Sequence, residues 1–235
     1  MKKGLHALLG LIVISAFLKL FSFSANSGGT GANAPYPVSP PGIPKELSFA
    51  GESVPLHIPD VLERFDRELL VNTFWHSQTI LLYKRAKRWF PVIEPILKAN
   101  NIPDDFKYLA VAESGLANVV SPSKASGFWQ FLEATGKKYG LVINEEVDER
   151  YDPERSTEAA CLNLKEAYET LGSWALATAA YNMGTEGVKR QVEKQQVRSY
   201  YDLYLNEETS RYVFRILVLK EILSSPEKHG FSLQG

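Results

Sequence analysis

The sequence predicts a mainly α-helical domain that follows an apolar N-terminal segment and a flexible linker. Apolar residues recur at helical spacing after residue 59, β-strand alternation is scarce, and proline and glycine are concentrated in one stretch before the helices. The 235 residues are 45% hydrophobic and 23% charged, which is typical of a globular protein. Disorder throughout the chain and a polytopic membrane protein are therefore excluded.

Residues 1–24 are predicted to be an export signal or a membrane anchor. Met1-Lys2-Lys3 is basic, and the uncharged run from Ala7 to Leu18 follows it, which is the pattern of a secretory signal. A retained anchor stays open as the alternative, because Leu5 to Phe23 is barely long enough to span a bilayer and contains the costly Lys19. Under either interpretation we expect the rest of the chain to be exported to the periplasm or cell envelope.

Residues 25–55 are predicted to be a linker, so that the folded domain occupies residues 56–235. Between Ser24 and Pro44 the chain has five prolines, four glycines and three serines, and no hydrophobic periodicity. Such a composition favours a flexible tether.

The first part of the domain is predicted to contain helices with recognisable starts. Apolar residues recur every four positions after Asp60, which is the expected N-cap. A second helix is expected over residues 76–88, ending in the basic cluster Lys84-Arg85-Ala86-Lys87-Arg88. Such a cluster is more often a solvated helix end than a binding site for an acidic ligand. Pro91 and Asp104 are expected to begin further helices.

Three more helices are predicted in the second half of the domain. Apolar residues from Ala160 to Leu171 indicate one helix, which Gly172 closes. The small apolar residues from Trp174 to Tyr181 indicate a buried helix, and the pattern from Val213 to Leu223 indicates the last one.

The charge balance and the single cysteine exclude several classes of function. The chain has 26 basic and 27 acidic residues, so it lacks the basic footprint of a dedicated nucleic-acid binder. Cys161 has no second cysteine to pair with, and four scattered histidines do not form a zinc site with it. We expect Cys161 to be an inert buried thiol.

Glu113 is the residue that the helical pattern does not explain. Phe106, Leu109, Ala110 and Glu113 share one helix face, and the first three are apolar, while Gly115 is expected to end the helix. Burial and the negative end of the helix dipole would both raise the pKa of Glu113, as a general acid requires. From periodicity alone, a buried glutamate paired with an arginine or lysine is an equally good interpretation.

Five short blocks stand in order within residues 60–223. They are Ala112-Glu113-Ser114-Gly115, Ser121 to Phe131, Ala134 to Leu141, Ala179-Ala180-Tyr181-Asn182-Met183-Gly184 and Glu208-Thr209-Ser210-Arg211-Tyr212-Val213. In composition and order they resemble the lytic transglycosylases with a lysozyme-like domain, of the membrane-bound D type. The resemblance implies a lysozyme-like helical fold with a sugar-binding groove.

The resemblance also implies roles for individual residues. Glu113 matches the single catalytic acid/base of the family, and Tyr181 matches a tyrosine beside that glutamate. Ser121 matches a residue that holds the reacting sugar, and Gln130 one that hydrogen-bonds it. The full set of implied substrate-binding residues is Ser121, Trp129, Gln130, Tyr181, Asn182, Glu208 and Tyr212.

The activity that the resemblance implies is cleavage of the bond between N-acetylmuramic acid and N-acetylglucosamine in peptidoglycan, with formation of 1,6-anhydro ends. Ordinary glycosidases use two carboxylates, and no second acid lies in a matching motif near Glu113. No cofactor or metal is expected, the expected partner is the glycan strand, and the expected state is a monomer. The alternatives are a lysozyme-type hydrolase and a non-catalytic binding module of the cell envelope.

Overall fold

Eight α-helices make up most of residues 40–231, the part of the chain that the computed structural model describes. They are α1 (Pro59–Thr73), α2 (His76–Ala99), α3 (Lys107–Ser114), α4 (Glu133–Lys138), α5 (Pro153–Leu171), α6 (Trp174–Met183), α7 (Thr185–Gln195) and α8 (Glu207–Ser224). Short 3₁₀ helices span Asp104–Phe106, Glu149–Tyr151, Tyr200–Asp202 and Pro226–His229. The prediction of a mainly helical domain is confirmed. The predicted signal or anchor, and the linker up to residue 39, lie outside the described residues.

A two-stranded hairpin precedes the first helix and belongs to the folded domain. Strand β1 (Ser48–Phe49) pairs antiparallel with β2 (Glu52–Ser53), and Phe49 is buried edge-on against Phe106 at a ring distance of 5.3 Å. The prediction that the linker extends to residue 55 was therefore wrong. Strands of two residues are too short to show a hydrophobic period, so only their distant contacts reveal them.

The hairpin also caps a central helix. The carboxylate of Glu52 accepts a hydrogen bond from the Ser173 hydroxyl at 2.9 Å and another from the Ala175 backbone N–H at 3.1 Å, at the start of α6. A carboxylate at a helix N-terminus satisfies free N–H groups and favours the helix dipole. The hairpin thus fixes the helix that carries Tyr181.

The long helix α2 runs straight through the predicted boundary at residues 88–91. Pro91 and Pro95 both lie inside it, so the predictions that one helix ends at residue 88 and another begins at Pro91 were wrong. The two prolines are four residues apart, and the residues whose carbonyl groups lose a helical partner, Lys87 and Pro91, are both exposed. Asp60 likewise lies in the first turn of α1 rather than at its N-cap, and pairs with Arg64.

The hydrophobic core is centred on α6 and α8. Residues Ala175 to Ala180 of α6 are all buried, and α8 packs against α1, α3 and α6. Helix α5 ends at Gly172 with a left-handed backbone, as predicted, and Cys161 is buried within it. Burial raises the pKa of the Cys161 thiol to about 12, so this thiol is inert at neutral pH. Because α3 packs against α8, the end of α3 faces side chains of α8.

Candidate active site

Glu113 lies in the last turn of α3, directly before the residue that ends the helix. Gly115 adopts a left-handed backbone with φ of 61°, and its N–H donates to the carbonyl of Val111. Leu109 and Ala110 on the same face are fully buried, and Glu113 itself is partly buried. The hydroxyl of Tyr212, on α8, donates a hydrogen bond to Oε1 of Glu113.

The environment of Glu113 favours the protonated carboxyl group. Burial raises its pKa to about 7, and the negative charge of Glu208 acts in the same direction. The hydrogen bond from Tyr212 and the positive charge of Arg215 lower the pKa but do not offset burial. Within residues 40–231 Glu113 forms no ion pair, so the alternative of a glutamate paired with a cation is not what the structure contains.

Two adjoining cavities share Glu113, Ala112 and Arg215. The first, which we call the Ser121 cavity, has a volume of about 380 Å³. It is lined by six of the seven predicted substrate-binding residues, namely Ser121, Gln130, Tyr181, Asn182, Glu208 and Tyr212. The second, the Trp75 cavity, has a volume of about 370 Å³ and is lined by residues of α1, α2, α3 and α8. Together they form an open groove with the Glu113 carboxyl group at its middle.

Tyr181 lines the groove but does not bond the glutamate. Its hydroxyl donates a hydrogen bond to the backbone carbonyl of Trp129 at 2.8 Å. The tyrosine that contacts Glu113 is Tyr212, which the resemblance had assigned to the substrate-binding set. Burial and the negative charge of the neighbouring Glu113 both raise the pKa of Tyr212 well above the ordinary value. Its hydroxyl therefore stays protonated and acts as the donor.

Trp129 was predicted to bind substrate, and this prediction was wrong. Its indole is fully buried, and its ring N–H donates a hydrogen bond to the Thr157 hydroxyl at 2.8 Å. A side chain with no exposed surface has no face to offer a sugar. Trp129 instead anchors the loop that precedes α4 to α5.

The loop before α4 positions Gln130 and depends on one glycine. The side-chain NH₂ of Gln130 donates to the carbonyls of Val119 and Gly127, at 3.0 and 2.8 Å, which leaves its Oε1 to accept from a ligand. Gly127 has φ of 79°, and a Cβ there would lie 1.7 Å from the carbonyl oxygen of Arg150. Only glycine fits this close approach of two backbone segments.

The remaining predicted residues form a polar wall of the Ser121 cavity. Asn182 donates to Glu208 at 3.2 Å and accepts from the Thr209 hydroxyl at 2.7 Å. The Ser121 hydroxyl accepts from the backbone N–H of Ala125 at 3.0 Å. Glu208 is exposed and is a second carboxylate in the same cavity as Glu113, although sequence analysis found no second acid near it.

Trp75 and Arg215 are among the groove residues that the sequence did not predict. Trp75 is 60% exposed and lines the cavity that bears its name, and nothing in the local pattern distinguishes it from a core aromatic residue. Arg215 lines both cavities. It follows Tyr212 by three positions in a helix, and this spacing was an available signal that both side chains share one face.

The described residues contain no group of three or more His, Cys, Asp or Glu side chains arranged to hold a metal ion. Over residues 40–231 no helix combines the length and apolarity needed to cross a bilayer.

The chain is similar in sequence to one domain family and to two curated proteins. Residues 90–203 match the transglycosylase SLT domain family. The chain is 30% identical over 196 residues to the membrane-bound lytic murein transglycosylase D of Escherichia coli strain K12, covering 79% of this chain and 42% of that protein. The protein of the same name from E. coli O6:H1 strain CFT073 shows the same identity and coverage. The chain thus spans less than half the length of the curated relatives it matches.

Proposed function

We propose, from the match of residues 90–203 to the transglycosylase SLT domain family, that the protein is a peptidoglycan lytic transglycosylase. Its substrate would be the glycan strand, cleaved between N-acetylmuramic acid and N-acetylglucosamine to leave a 1,6-anhydro end, in turnover or remodelling of the cell wall. The observation that carries the proposal is the partly buried carboxyl group of Glu113, whose pKa is about 7, in the middle of an open groove.

In the first step Glu113 acts as a general acid. At neutral pH a large fraction of this carboxyl group holds its proton, and it donates that proton to the oxygen of the scissile glycosidic bond as the C1–O bond breaks. The N-acetyl group of the muramic acid stabilises the positive charge that develops at C1, so no protein nucleophile is required. The N-acetylglucosamine side leaves with a free hydroxyl.

In the second step the same residue acts as a general base. The Glu113 carboxylate removes the proton from the C6 hydroxyl of the muramic acid, and that oxygen bonds to C1 of the same ring. The proton given up in the first step is thereby recovered, and no water is consumed. A pKa near the working pH suits a group that must both give and take a proton.

The neighbours of Glu113 support these two steps. Tyr212 holds the carboxyl group through its hydrogen bond, and Arg215 stabilises the carboxylate that exists between the steps. Ser121 and the free Oε1 of Gln130 offer polar atoms to the sugar in the same cavity. Trp75 offers an exposed aromatic face, on which the apolar face of a sugar ring can pack.

A lysozyme-type hydrolase is the second candidate, because Glu208 lines the same cavity as Glu113. A second carboxylate in the groove is the group that would activate water in an inverting glycosidase. Against this role, Glu208 is exposed and accepts a hydrogen bond from Asn182, an arrangement that suits a cavity wall. A binding module without catalysis is disfavoured, since binding alone has no use for a carboxyl group with a raised pKa.

Mass spectrometry of the muropeptides released from purified sacculi tests the proposal. We expect products with 1,6-anhydro ends from the unmodified protein, and at least about a hundredfold slower release from Glu113→Gln, whose amide cannot transfer a proton. Retention of more than about a tenth of the turnover would contradict the role of Glu113. The variant Glu208→Gln is expected to keep forming anhydro ends. If the unmodified protein releases reducing ends and Glu208→Gln does not, the enzyme is a hydrolase.

The same proposal places the protein in the cell envelope. Both relatives are named membrane-bound, and the predicted signal or anchor of residues 1–24 has the pattern of an exported segment. Fusion of residues 1–45 to a reporter should carry the reporter across the cytoplasmic membrane. A reporter that stays in the cytosol would contradict export, and its release or retention at the membrane distinguishes a cleaved signal from an anchor.

A further inference from the structure

A second concave surface, lined with basic side chains, lies on the middle of α2. It has a volume of about 410 Å³, and we call it the basic pocket. It is lined by Lys84, Arg85, Arg88, Trp89, Leu116, Ala117, Asn118 and Phe128. Its three cations come from the cluster that sequence analysis interpreted as a solvated helix end. In the structure this cluster lies within a helix that continues for eleven residues beyond Arg88, so it is not a helix end.

The cations of the basic pocket lack acidic neighbours. Within residues 40–231 none of Lys84, Arg85 and Arg88 forms an ion pair, although apart from Lys2, Lys3 and Lys19 the chain has 23 basic and 27 acidic side chains. The guanidinium of Arg88 lies over the ring of Trp89 at 4.7 Å, which holds that charge in place. Unpaired cations beside an aromatic wall in a concave surface favour an anionic ligand.

The basic pocket lies next to the candidate groove. Arg85 donates a hydrogen bond at 3.0 Å to the carbonyl of Gly115, which lines the Trp75 cavity, and the next residue, Leu116, lines the basic pocket. Along α2, Gln78, Arg85 and Trp89 follow one another at spacings of seven and four, so they share one helix face. A ligand that extends from the groove to the basic pocket would therefore follow this face of α2.

The distance along this face suits a short peptide. Gln78 and Trp89 are eleven residues apart, and the rise of 1.5 Å per residue separates them by about 16 Å along the axis of α2. Four or five extended peptide residues span about 13–18 Å. The muramic acid units of peptidoglycan carry peptide stems of about this length, and those stems bear free carboxylates.

We propose that the basic pocket binds the carboxylates of a peptide stem whose glycan strand occupies the groove at Glu113. Lys84 and Arg88 are exposed and supply the charge, while Arg85 is held by Gly115 and aligns the pocket with the groove. This inference rests on the proposed function, because it assigns a stem-binding site to the same substrate. The enzyme would then bind strands whose peptide stems have free carboxylates more tightly than strands whose stem carboxylates have been neutralised.

Sedimentation with insoluble sacculi tests this site without any turnover. The full chain carrying Glu113→Gln is compared with the same chain carrying Lys84→Gln and Arg88→Gln in addition, at low ionic strength. Each preparation is measured on intact sacculi and on sacculi whose carboxylates have been amidated with a carbodiimide and ammonia. The control is Lys189→Gln with Arg190→Gln on α7, which removes the same charge from exposed positions outside the basic pocket.

We expect the double variant of the basic pocket to bind intact sacculi about fivefold more weakly, as the loss of two exposed charge contacts implies. On amidated sacculi it should bind as the parent does, and the α7 control should match the parent on both. Equal binding of parent and double variant to intact sacculi would overturn the proposal. An equal loss on amidated sacculi, or an equal loss in the α7 control, would also overturn it.

A parallel measurement with vesicles of phosphatidylglycerol tests the other source of negative charge. If the basic pocket variant loses vesicle binding and keeps its binding to sacculi, the ligand is a lipid surface and the stem proposal is wrong. Unchanged melting temperatures confirm that the variants are folded. Because binding is measured with Glu113→Gln, the result does not depend on whether the released products have anhydro ends, so this proposal and the proposed function can fail separately.

Discussion

The hydroxyl of Tyr212 donates a hydrogen bond to the carboxyl group of Glu113, across 99 positions of sequence. The bond joins the last turn of α3 to the first half of α8, two helices that pack directly against each other. It fixes the orientation of the one carboxyl group shared by both cavities of the groove. The same bond stabilises the carboxylate and so lowers the pKa of Glu113 against the larger effect of burial.

Tyr212→Phe should therefore reduce the rate and shift its pH dependence. A hydrogen bond to a charged group contributes about 1.5–3 kcal/mol, which corresponds to a rate loss of roughly 10- to 150-fold. Without the hydroxyl the pKa of Glu113 rises, so the decline of rate above neutral pH should move to higher pH. Turnover of sacculi measured from pH 5 to pH 9 checks both effects.

The matched control is Tyr181→Phe. It removes a hydrogen bond to the backbone carbonyl of Trp129, so we expect a loss of about 1 kcal/mol in the free energy of unfolding and a rate within about threefold of the parent. The opposite outcome, with a large rate loss in Tyr181→Phe and none in Tyr212→Phe, would make Tyr181 the residue that orients the proton transfer.

Glu113→Gln should stabilise the protein at alkaline pH and not at acid pH. The pKa of Glu113 is raised in the folded state from an ordinary value of 4.5 to about 7, so its favourable contribution is complete below pH 4.5 and is lost as the pH rises through 7. At pH 8.5 the variant should be more stable by about 1–3 kcal/mol, and at pH 4 the two proteins should be nearly equal. Urea unfolding at both pH values measures the difference.

An exposed carboxylate provides the comparison for that experiment. Glu133 pairs with Lys137, which lowers the pKa of Glu133, so Glu133→Gln should gain no stability at pH 8.5. A gain in Glu113→Gln of the same size at both pH values would contradict the raised pKa of Glu113.

Trp75→Ala should weaken binding of the glycan strand and leave the fold unchanged. An aromatic contact contributes about 0.5–1.5 kcal/mol beyond its buried area, so we expect KM to rise by roughly 2- to 12-fold with little change in kcat. Because Trp75 is 60% exposed, the melting temperature of the Trp75→Ala variant should stay near that of the parent. Tyr204→Ala removes an aromatic residue that is 88% exposed and lines neither cavity, and it should change neither parameter. An unaltered KM in Trp75→Ala would show that Trp75 does not bind the glycan strand.

Gly127→Ala should destabilise the loop that positions Gln130. The positive φ of 79° and the approach of a Cβ to within 1.7 Å of the Arg150 carbonyl oxygen force the two backbone segments apart. We expect a loss of more than about 2 kcal/mol in the free energy of unfolding. Gly140→Ala is the control, since its φ is 90° but a Cβ there would meet no atom within 4 Å, so only the smaller backbone strain remains. Equal losses in the two variants would show that the contact with Arg150 contributes nothing.

Local sequence patterns predicted the features that depend on neighbouring residues. The helix that ends at Gly115, the buried helix beginning at Trp174 and the helix closed by Gly172 follow from periodicity and helix stop signals within a few residues. The position of Glu113 in the last turn of an apolar helix face follows from the same local rules. The ordered blocks brought six residues of the Ser121 cavity together through a resemblance, not through their spacing.

Packing between distant elements sets which of these side chains meet. Tyr181 and Tyr212 are both tyrosines on helices of the groove, and only the packing of α3 against α8 places the Tyr212 hydroxyl, and not that of Tyr181, on Glu113. In the same way the burial of Trp129 and the exposure of Trp75 depend on contacts with distant elements. Local periodicity specifies the face of a helix on which a side chain lies. The element that covers that face is set by packing between residues far apart in sequence, and no local pattern records it.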